Sequence, residues 1–503
     1  MGKMRGSMTV FAAISMMLIA GFLFTLLEAA RAQEIHKIAR INSASVAESM
    51  FAGYEIPLWV NYHLLGVSAD GTKLEEGIRN LEDDMLTLSN DNMGPVALDN
   101  NRFQSNHLQM EASEITIEDY QLLTDCDGAV YQAAVASYME NNLLYETAKL
   151  IYSRYESVNE LTENTSDCAI TEDMALQAVD GKEPDGDVYI DKNLISQSGC
   201  ATPVELDHNP LKLVQTAKSK GILSVLATDK EALSQVGVEK KNLLSHRELC
   251  VGTMQQKPDM DWYGEMLFYI YLNTCFSNYT SPMEGHAFAY EQEYLLFGEE
   301  SDIENLKKTA NLLLATREAA NLAYLATDSD KKLLVEGIAL AIAGESCNAI
   351  VVQVVQVALL AAWAYAESIL DVRALLQGKK IALMKSDQTW SSDIKNLSEV
   401  FSGDMAAIES EMGLSYNNYL QIFLLSKAKK QLAYRAMDLQ ELSICQLEGY
   451  GNFRMDHLIV DADISFCYRY HTIFMGMDSL TKDKKSYFSV QNQYRYSYWK
   501  AGE

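Results

Sequence analysis

Serine, lysine and histidine residues that could catalyse hydrolysis occur in this sequence, but they do not form a catalytic arrangement. Two Ser-x-x-Lys sequences, which place a lysine base near a serine nucleophile, begin at Ser426 and Ser479, and chance explains so short a pattern. The eight histidines are scattered, and no pair has the spacing of metal ligands on one helix or hairpin. The motifs of zinc proteases, serine esterases and nucleotide-binding loops do not occur. The sequence therefore predicts a non-enzymatic protein without a cofactor, with a membrane-tethered hydrolase as the alternative.

Neither the cysteines nor the acidic turn after residue 124 predicts a metal site. The eight cysteines include no Cys-x-x-Cys pair. Cys168 and Cys200 flank one polar stretch and are the pair that we expect to be joined if a disulfide forms. Asp125 and Asp127 before Gly128 resemble part of a calcium loop. The third acid and the distal glutamate of such a loop are missing, so we expect a helix cap instead.

One polar pair is predicted inside an apolar helix. Arg317 and Asn321 are four residues apart among leucines and alanines, so they share one helix face. They could line a binding pocket, or they could form a structural pair that holds two elements together. We favour the structural pair.

The elements that would position these residues are organised around one hydrophobic stretch near the N-terminus. Residues 7–27 carry no charge, and about 20 apolar residues are enough for a helix to cross a membrane. We predict a cytoplasmic leader over 1–7 and a single transmembrane helix over 8–32, with the bulk of the chain outside the cytoplasm because basic residues precede the helix. Three fates stay open for the leader: a retained anchor, pilin-like processing between Gly6 and Ser7, and secretory cleavage after the Ala-Arg-Ala sequence that ends at Ala32.

The remaining chain is predicted to form a helix-dominated α+β ectodomain with two lobes. We expect a stalk and first lobe over 33–156, an acidic linker over 157–205 and a second lobe over 206–503. In the second lobe, the apolar stretch 346–377 is predicted to be a buried central helix. Its charge-free part, 346–366, could also cross the membrane as a second span.

Shorter patterns predict the other elements of the second lobe. Residues 289–297 are expected to form a short strand, and residues 416–447 one long helix. A C-terminal antiparallel ribbon is predicted, because apolar residues alternate strictly from Leu458 to Tyr470. Tyrosines alternate again at Tyr494, Tyr496 and Tyr498. They could cover the sheet or form an exposed adhesive surface, and we favour covering.

The charge of the chain excludes one class of partner. The formal net charge is -28, whereas phosphate binding requires clustered lysine and arginine. We therefore predict no nucleic-acid partner. A strongly acidic surface is instead typical of a well-solvated ectodomain.

Several segments resemble one known group of proteins. These segments are Gly6–Phe11, Leu26–Arg31, Tyr290–Gly298, Trp363–Ser368 and Asp371–Leu376. They are similar to an uncharacterised family of membrane-anchored proteins associated with Gram-positive tight-adherence (Tad-like) pilus loci. The resemblance implies a pilus or secretion-apparatus accessory, or a minor pilin-like component, whose partners are other proteins of that apparatus.

The same resemblance bears on the leader. In type IV pilins a leader peptidase cuts after the glycine, and a glutamate five residues later pairs with the new N-terminus of a neighbour. Phe11 occupies that place in this sequence.

An adhesin or cell-wall-binding ectodomain that uses exposed aromatic residues is the alternative function.

Overall fold

The computed structural model describes residues 5–94, 106, 108–140, 145–165, 172–180, 192–195, 201–226, 233–343, 349–473 and 487–498. In this part of the chain helices predominate and four strands form an antiparallel sheet, which confirms the predicted helix-dominated α+β class. The chain divides into two compact units. The first comprises Met1–Tyr138, Glu248–Asp259 and Tyr450–Glu503, and the second comprises Met139–Arg247 and Met260–Gly449.

The sequence predicts lobes made of consecutive segments, with the ribbon in a second lobe over 206–503. The observed division into units is different. The ribbon instead belongs to the first unit, because strand β3 (Leu458–His471) pairs with strand β2 (Met110–Leu122). The expected linker over 157–205 contains the end of helix α5 (Tyr145–Thr165) and helix α6 (Glu172–Val179). Cys168 and Cys200, the expected disulfide pair, lie outside the described residues.

Strand β3 is the central strand of the sheet in the first unit. Strand β2 pairs along one edge, and the short strand β1 (Val67–Ser68) and strand β4 (Tyr487–Ser497) pair along the other, all antiparallel. Alternate side chains of β3 are fully buried, as the alternation in the sequence predicts.

Helix α1 (Arg5–Ala52) changes its surroundings halfway along its length. In the C-terminal half, Ile35, Ala39, Val46 and Phe51 recur at helical spacing and are buried in the same core as the sheet. In the N-terminal half the large apolar side chains from Met8 to Leu27 are exposed, and this part is long and apolar enough to span a membrane. The predicted N-terminal apolar helix is therefore present. The first unit also contains α2 (Ile56–Tyr62), α3 (Leu74–Met93), most of α4 (Asp125–Glu140) and a 3-10 turn at Met455–His457.

The second unit is built from helices around α13 (Ala349–Leu376). Helices α11 (Asp302–Thr327) and α12 (Ser329–Ala343) pack against it. Helix α13 is also apolar and long enough to cross a membrane, but 67% of its most apolar window is buried inside the protein. This supports the buried central helix predicted over 346–377 for residues 349–376, whereas residues 346–348 lie outside the described part of the chain. The other described helices of this unit are α5, α6, α7 (Pro210–Ser219), α8 (Ile222–Leu226), α9 (Trp262–Thr274), α10 (Glu291–Phe297), α14 (Leu397–Ser402), α15 (Tyr416–Leu425) and α16 (Lys429–Cys445), with 3-10 turns at Lys192–Leu194, Lys240–Asn242, Leu244–His246 and Ile394–Asn396.

Two local predictions in the second unit were wrong. The segment expected to be a strand over 289–297 forms helix α10, which ends at Gly298, a residue in the left-handed region with φ of 65°. The expected single helix over 416–447 is broken into α15 and α16. At the break the hydroxyl of Ser426 donates to the carbonyl of Phe423 at 2.6 Å, a local bond that competes with the helical hydrogen-bond pattern.

Candidate functional site

The tyrosine row of β4 packs against helix α1. The hydroxyl of Tyr494 donates to the carboxylate of Glu48 at 2.9 Å, and the ring of Tyr496 stacks on Phe51 with 4.3 Å between centroids. The ring of Tyr498 meets the edge of Phe51, and its hydroxyl donates to the carbonyl of the same residue. All three tyrosines are half-buried. All three tyrosines therefore contact α1, as residues that cover the sheet would.

A buried polar group lies between α1 and the rest of the first unit. The amide nitrogen of Asn42 donates to the hydroxyl of Ser89 on α3 at 2.7 Å, and the hydroxyls of Ser43 and Tyr468 lie 3.1 Å apart. All four residues are buried. Because a buried polar group is costly unless it is bonded, these contacts stabilise the observed rotational setting of α1 on the sheet.

An ion pair marks the end of the apolar half of α1. Arg31 and Glu28 are buried, with 2.6 Å between Nη1 and Oε1. The same guanidinium donates to the carbonyl of Leu108, and the other carboxylate oxygen of Glu28 accepts from the backbone N–H of Ile473 at 3.2 Å. The first charged residues after the apolar stretch therefore attach α1 to the folded unit.

The predicted leader-processing site lies at the start of α1. The backbone of Gly6 and Ser7 is helical. Processing between them stays a prediction.

Arg317 and Asn321 of the second unit are brought together as predicted. Both are fully buried, and Arg317 Nη2 lies 3.3 Å from Asn321 Oδ1. The guanidinium also donates to Oδ2 of Asp371 on α13 at 2.8 and 3.1 Å, and to the hydroxyl of Tyr419 on α15 at 3.1 Å. Burial lowers the pKa of Arg317, but the facing Tyr419 and Asp371 outweigh this effect and the net shift is upward. These contacts join three helices, α11, α13 and α15.

The group around Arg317, which we call the ionic cluster, has balanced charge. Its second cation is Lys385, whose ammonium lies 2.7 Å from Asp371 and 2.7 Å from Glu367. The side chains of both carboxylates and of Lys385 are fully buried. Glu367 also accepts from the backbone N–H groups of Ser391 and Ser392 at 3.0 and 2.8 Å. The cluster thus ties the segment after α13 back onto that helix.

Sequence reasoning identified two members of the ionic cluster and missed the others. No motif in the sequence assigns a role to Glu367, Asp371 or Lys385. A glutamate and an aspartate four residues apart within the most apolar helix were the available signal, because buried acids require partners.

Two further buried acids of the second unit accept hydrogen bonds from tyrosines. Glu293 accepts from the hydroxyl of Tyr416 at 2.6 Å, and Asp438 accepts from Tyr294 at 2.9 Å. Burial raises the pKa of Glu293 to about 7 and that of Asp438 to about 6, although these hydrogen bonds act in the opposite direction. These carboxyls therefore exchange protons near neutral pH.

Cys250, Asp456 and His457 of the first unit are side chains that could hold a metal. One donor atom from each lies within 4.8 Å of the others, and this donor set suits zinc. However, the carboxylate of Asp456 already accepts from Arg454 at 2.7 and 3.1 Å and from the backbone N–H of Cys250 at 3.1 Å. Because a cation would compete with the guanidinium of Arg454, we assign this group to an ion pair that fixes the turn before β3.

The acidic turn at Asp125 holds backbone groups. Its carboxylate accepts from the N–H of Leu122 at 2.7 Å and from that of Gly252 at 3.0 Å. Cys126 and Asp127 adopt left-handed φ values of 54° and 59°. Asp125 therefore stabilises the kinked start of α4 by holding the backbone of Leu122 and Gly252, whereas we expected it to cap the helix.

The fold and these sites define a helix-dominated α+β protein with an N-terminal apolar helix and a buried ionic cluster. Residues 202–470, just over half of the chain, match the model of a family of unknown function, DUF5702, and the chain belongs to this family. The matched segment contains the whole ionic cluster, whereas α1 and β4 lie outside it. No curated protein and no solved structure matches this chain.

Removing one charge from the ionic cluster is expected to destabilise the second unit. Arg317→Met leaves a buried carboxylate uncompensated, which costs about 3–5 kcal/mol of unfolding free energy. Arg317→Met combined with Asp371→Leu should cost less than the single change, because Lys385 and Glu367 still balance each other. Urea unfolding followed by tryptophan fluorescence measures both, with exposed Lys307→Met as the matched control. A double variant less stable than Arg317→Met would contradict the charge-balance argument.

The pKa of Glu293 predicts a pH-dependent stability. The folded state holds this proton more tightly than the unfolded state, so its contribution is complete below pH 4.5 and is lost as the pH rises to about 7. We expect the free energy of unfolding to fall by about 3 kcal/mol across this range because of Glu293. Glu293→Gln should make the dependence shallower and leave the contribution of Asp438, whereas Glu304→Gln, an exposed change on α11, should not alter it. Equal slopes for Glu293→Gln and the wild type in urea titrations would refute this assignment.

Proposed function

We propose that this protein is a non-enzymatic, membrane-anchored, extracytoplasmic component of a pilus or secretion apparatus, either an accessory protein or a minor pilin-like subunit. The observation that carries the proposal is the single unbroken helix α1. Its exposed apolar half suits a bilayer, and its other half is buried in the core of the first unit.

The continuity of α1 favours a scaffolding role. Arg31 and Glu28 follow the apolar stretch directly and attach the helix to the sheet, so no linker separates the anchor from the folded unit. Such an arrangement holds the first unit at a fixed height and orientation, which an assembly component requires.

The pilus assignment is supported by the resemblance of Gly6–Phe11 and of the later segments to proteins of Tad-like loci. The non-enzymatic assignment is supported by the ionic cluster, whose charged side chains are fully buried and paired with one another. The adhesin alternative receives less support, because the tyrosine row that it would use contacts α1.

Membrane fractionation of cells that express the full chain tests the anchor. The wild type should stay in the membrane pellet after alkaline carbonate extraction. Leu18→Arg with Leu23→Arg should release it, since each arginine at the centre of a membrane helix costs about 2.5–3.5 kcal/mol. Ile56→Arg with Val60→Arg, at two exposed apolar residues of α2, is the matched control and should stay in the pellet.

Cross-linking and mass spectrometry of the mature N-terminus test the pilus role. We expect the chain to cross-link to other proteins of the pilus locus. A chain beginning at Met1 and confined to membranes identifies an accessory protein, whereas one beginning at Ser7 in sheared surface material identifies a pilin-like subunit. A chain that begins after Ala32, or whose distribution is unchanged when the pilus genes are deleted, would contradict the proposal.

A further inference from the structure

One end of the sheet in the first unit is attached to α1 where its apolar half ends. The carboxylate of Glu28 accepts from the backbone N–H of Ile473, two residues beyond the end of β3. The guanidinium of Arg31 lies over the ring of Tyr470, 5.7 Å from its centroid. The last residues of β3 and the first of β4 are paired here, with Tyr470 opposite Phe488.

This end of the sheet exposes large apolar side chains, which we call the sheet tip. Ile473 is 40% exposed, Tyr487 is 51% exposed and Phe488 is 49% exposed. Both rings pack against rings of β3. Tyr487 packs on His471 with 4.1 Å between centroids, and Phe488 stacks on Tyr470 with 5.7 Å between centroids. A group of exposed apolar side chains at one end of a sheet is typical of a surface that contacts lipid or another protein.

The height of the sheet tip follows from α1. The exposed apolar run from Met8 to Leu27 extends about 30 Å as a helix, which equals the hydrocarbon thickness of a bilayer. Glu28, the next residue, therefore lies at the edge of the hydrocarbon, and the sheet tip bonded to it lies at the same level. The far end of α1, at Ala52, is roughly 36 Å further along the helix axis.

We infer that the sheet tip inserts its aromatic side chains into the interfacial layer of the bilayer that α1 spans. This inference rests on the membrane anchor of the proposed function. Tyrosine rings favour this layer because the ring contacts acyl chains while the hydroxyl stays hydrated. We take lipid as the partner of the sheet tip because the hydrogen bond between Ile473 and Glu28 joins the tip to the end of the membrane-spanning segment. Two contacts, the span and the tip, then fix the tilt of the first unit on the membrane.

Fluorescence quenching in lipid nanodiscs tests this inference on the full chain. A genetically encoded fluorescent amino acid replaces Phe488, Tyr487, Ile56 or Phe22 in four separate variants. Ile56 is the matched control, an apolar residue of the same unit that is 64% exposed but lies beyond the far end of α1. Phe22 lies in the exposed apolar half and reports the span.

Phosphatidylcholine brominated near the start of its acyl chains should reduce emission at Phe488, Tyr487 and Phe22, and leave emission at Ile56 unchanged. Quenching at Phe22 but not at the two tip positions would overturn the inference and leave the anchor intact. Absence of quenching at Phe22 would overturn the anchor and the inference with it. Emission at the tip positions that is not quenched, but shifts to the blue as the number of chains per nanodisc rises, would show that the tip contacts a second copy of the chain. This result would overturn the lipid contact.

Discussion

Helix α1 passes from an apolar surface into a folded core without interrupting its backbone hydrogen bonds, and the first unit is arranged around this constraint. Its N-terminal half presents exposed apolar side chains and is long and apolar enough to span a membrane. Its C-terminal half presents a narrow buried face that the sheet and the tyrosines of β4 cover. Because one continuous helix carries both halves, the packing of the sheet on α1 fixes the orientation of the folded core of the first unit relative to the apolar half of the helix.

The second unit depends on a different constraint, which is the complete pairing of buried charge. Arg317 and Lys385 face Asp371 and Glu367 in a region without solvent contact. Taking any of these ions out of water is expensive, so each is stable there only while its partners are in place. The ionic cluster therefore forms only when three helices and the segment after α13 all take their native positions. It contributes to the specificity of this arrangement more than to its stability. Its position inside the matched segment makes it a property of the DUF5702 part of the chain.

The sequence predicts the features that depend on neighbouring residues and misses those that depend on distant ones. A long charge-free run predicts the apolar half of α1, alternation predicts β3, and helical spacing pairs Arg317 with Asn321. Arg317 bonds to Asp371, 54 residues away, and to Tyr419, 102 residues away. No local sequence pattern specifies such contacts. The pairing of β2 with β3 joins residues from 337 (Leu122 and Ile459) to 360 (Met110 and Tyr470) positions apart, so no local pattern indicated that the ribbon belongs to the first unit. Helix α10 was taken for a strand because its apolar residues fit either period over so short a segment.

The proposed function depends on the continuity of α1 from its apolar half into the core of the first unit. Hydrogen exchange of the full chain in lipid nanodiscs, read by mass spectrometry over residues 24–40, tests it most directly. The structure predicts slow exchange without interruption across Glu28–Ile35, where the exposed half of α1 meets the buried half. Fast exchange confined to this junction, with protected amides on both sides, would show a hinge and contradict the account.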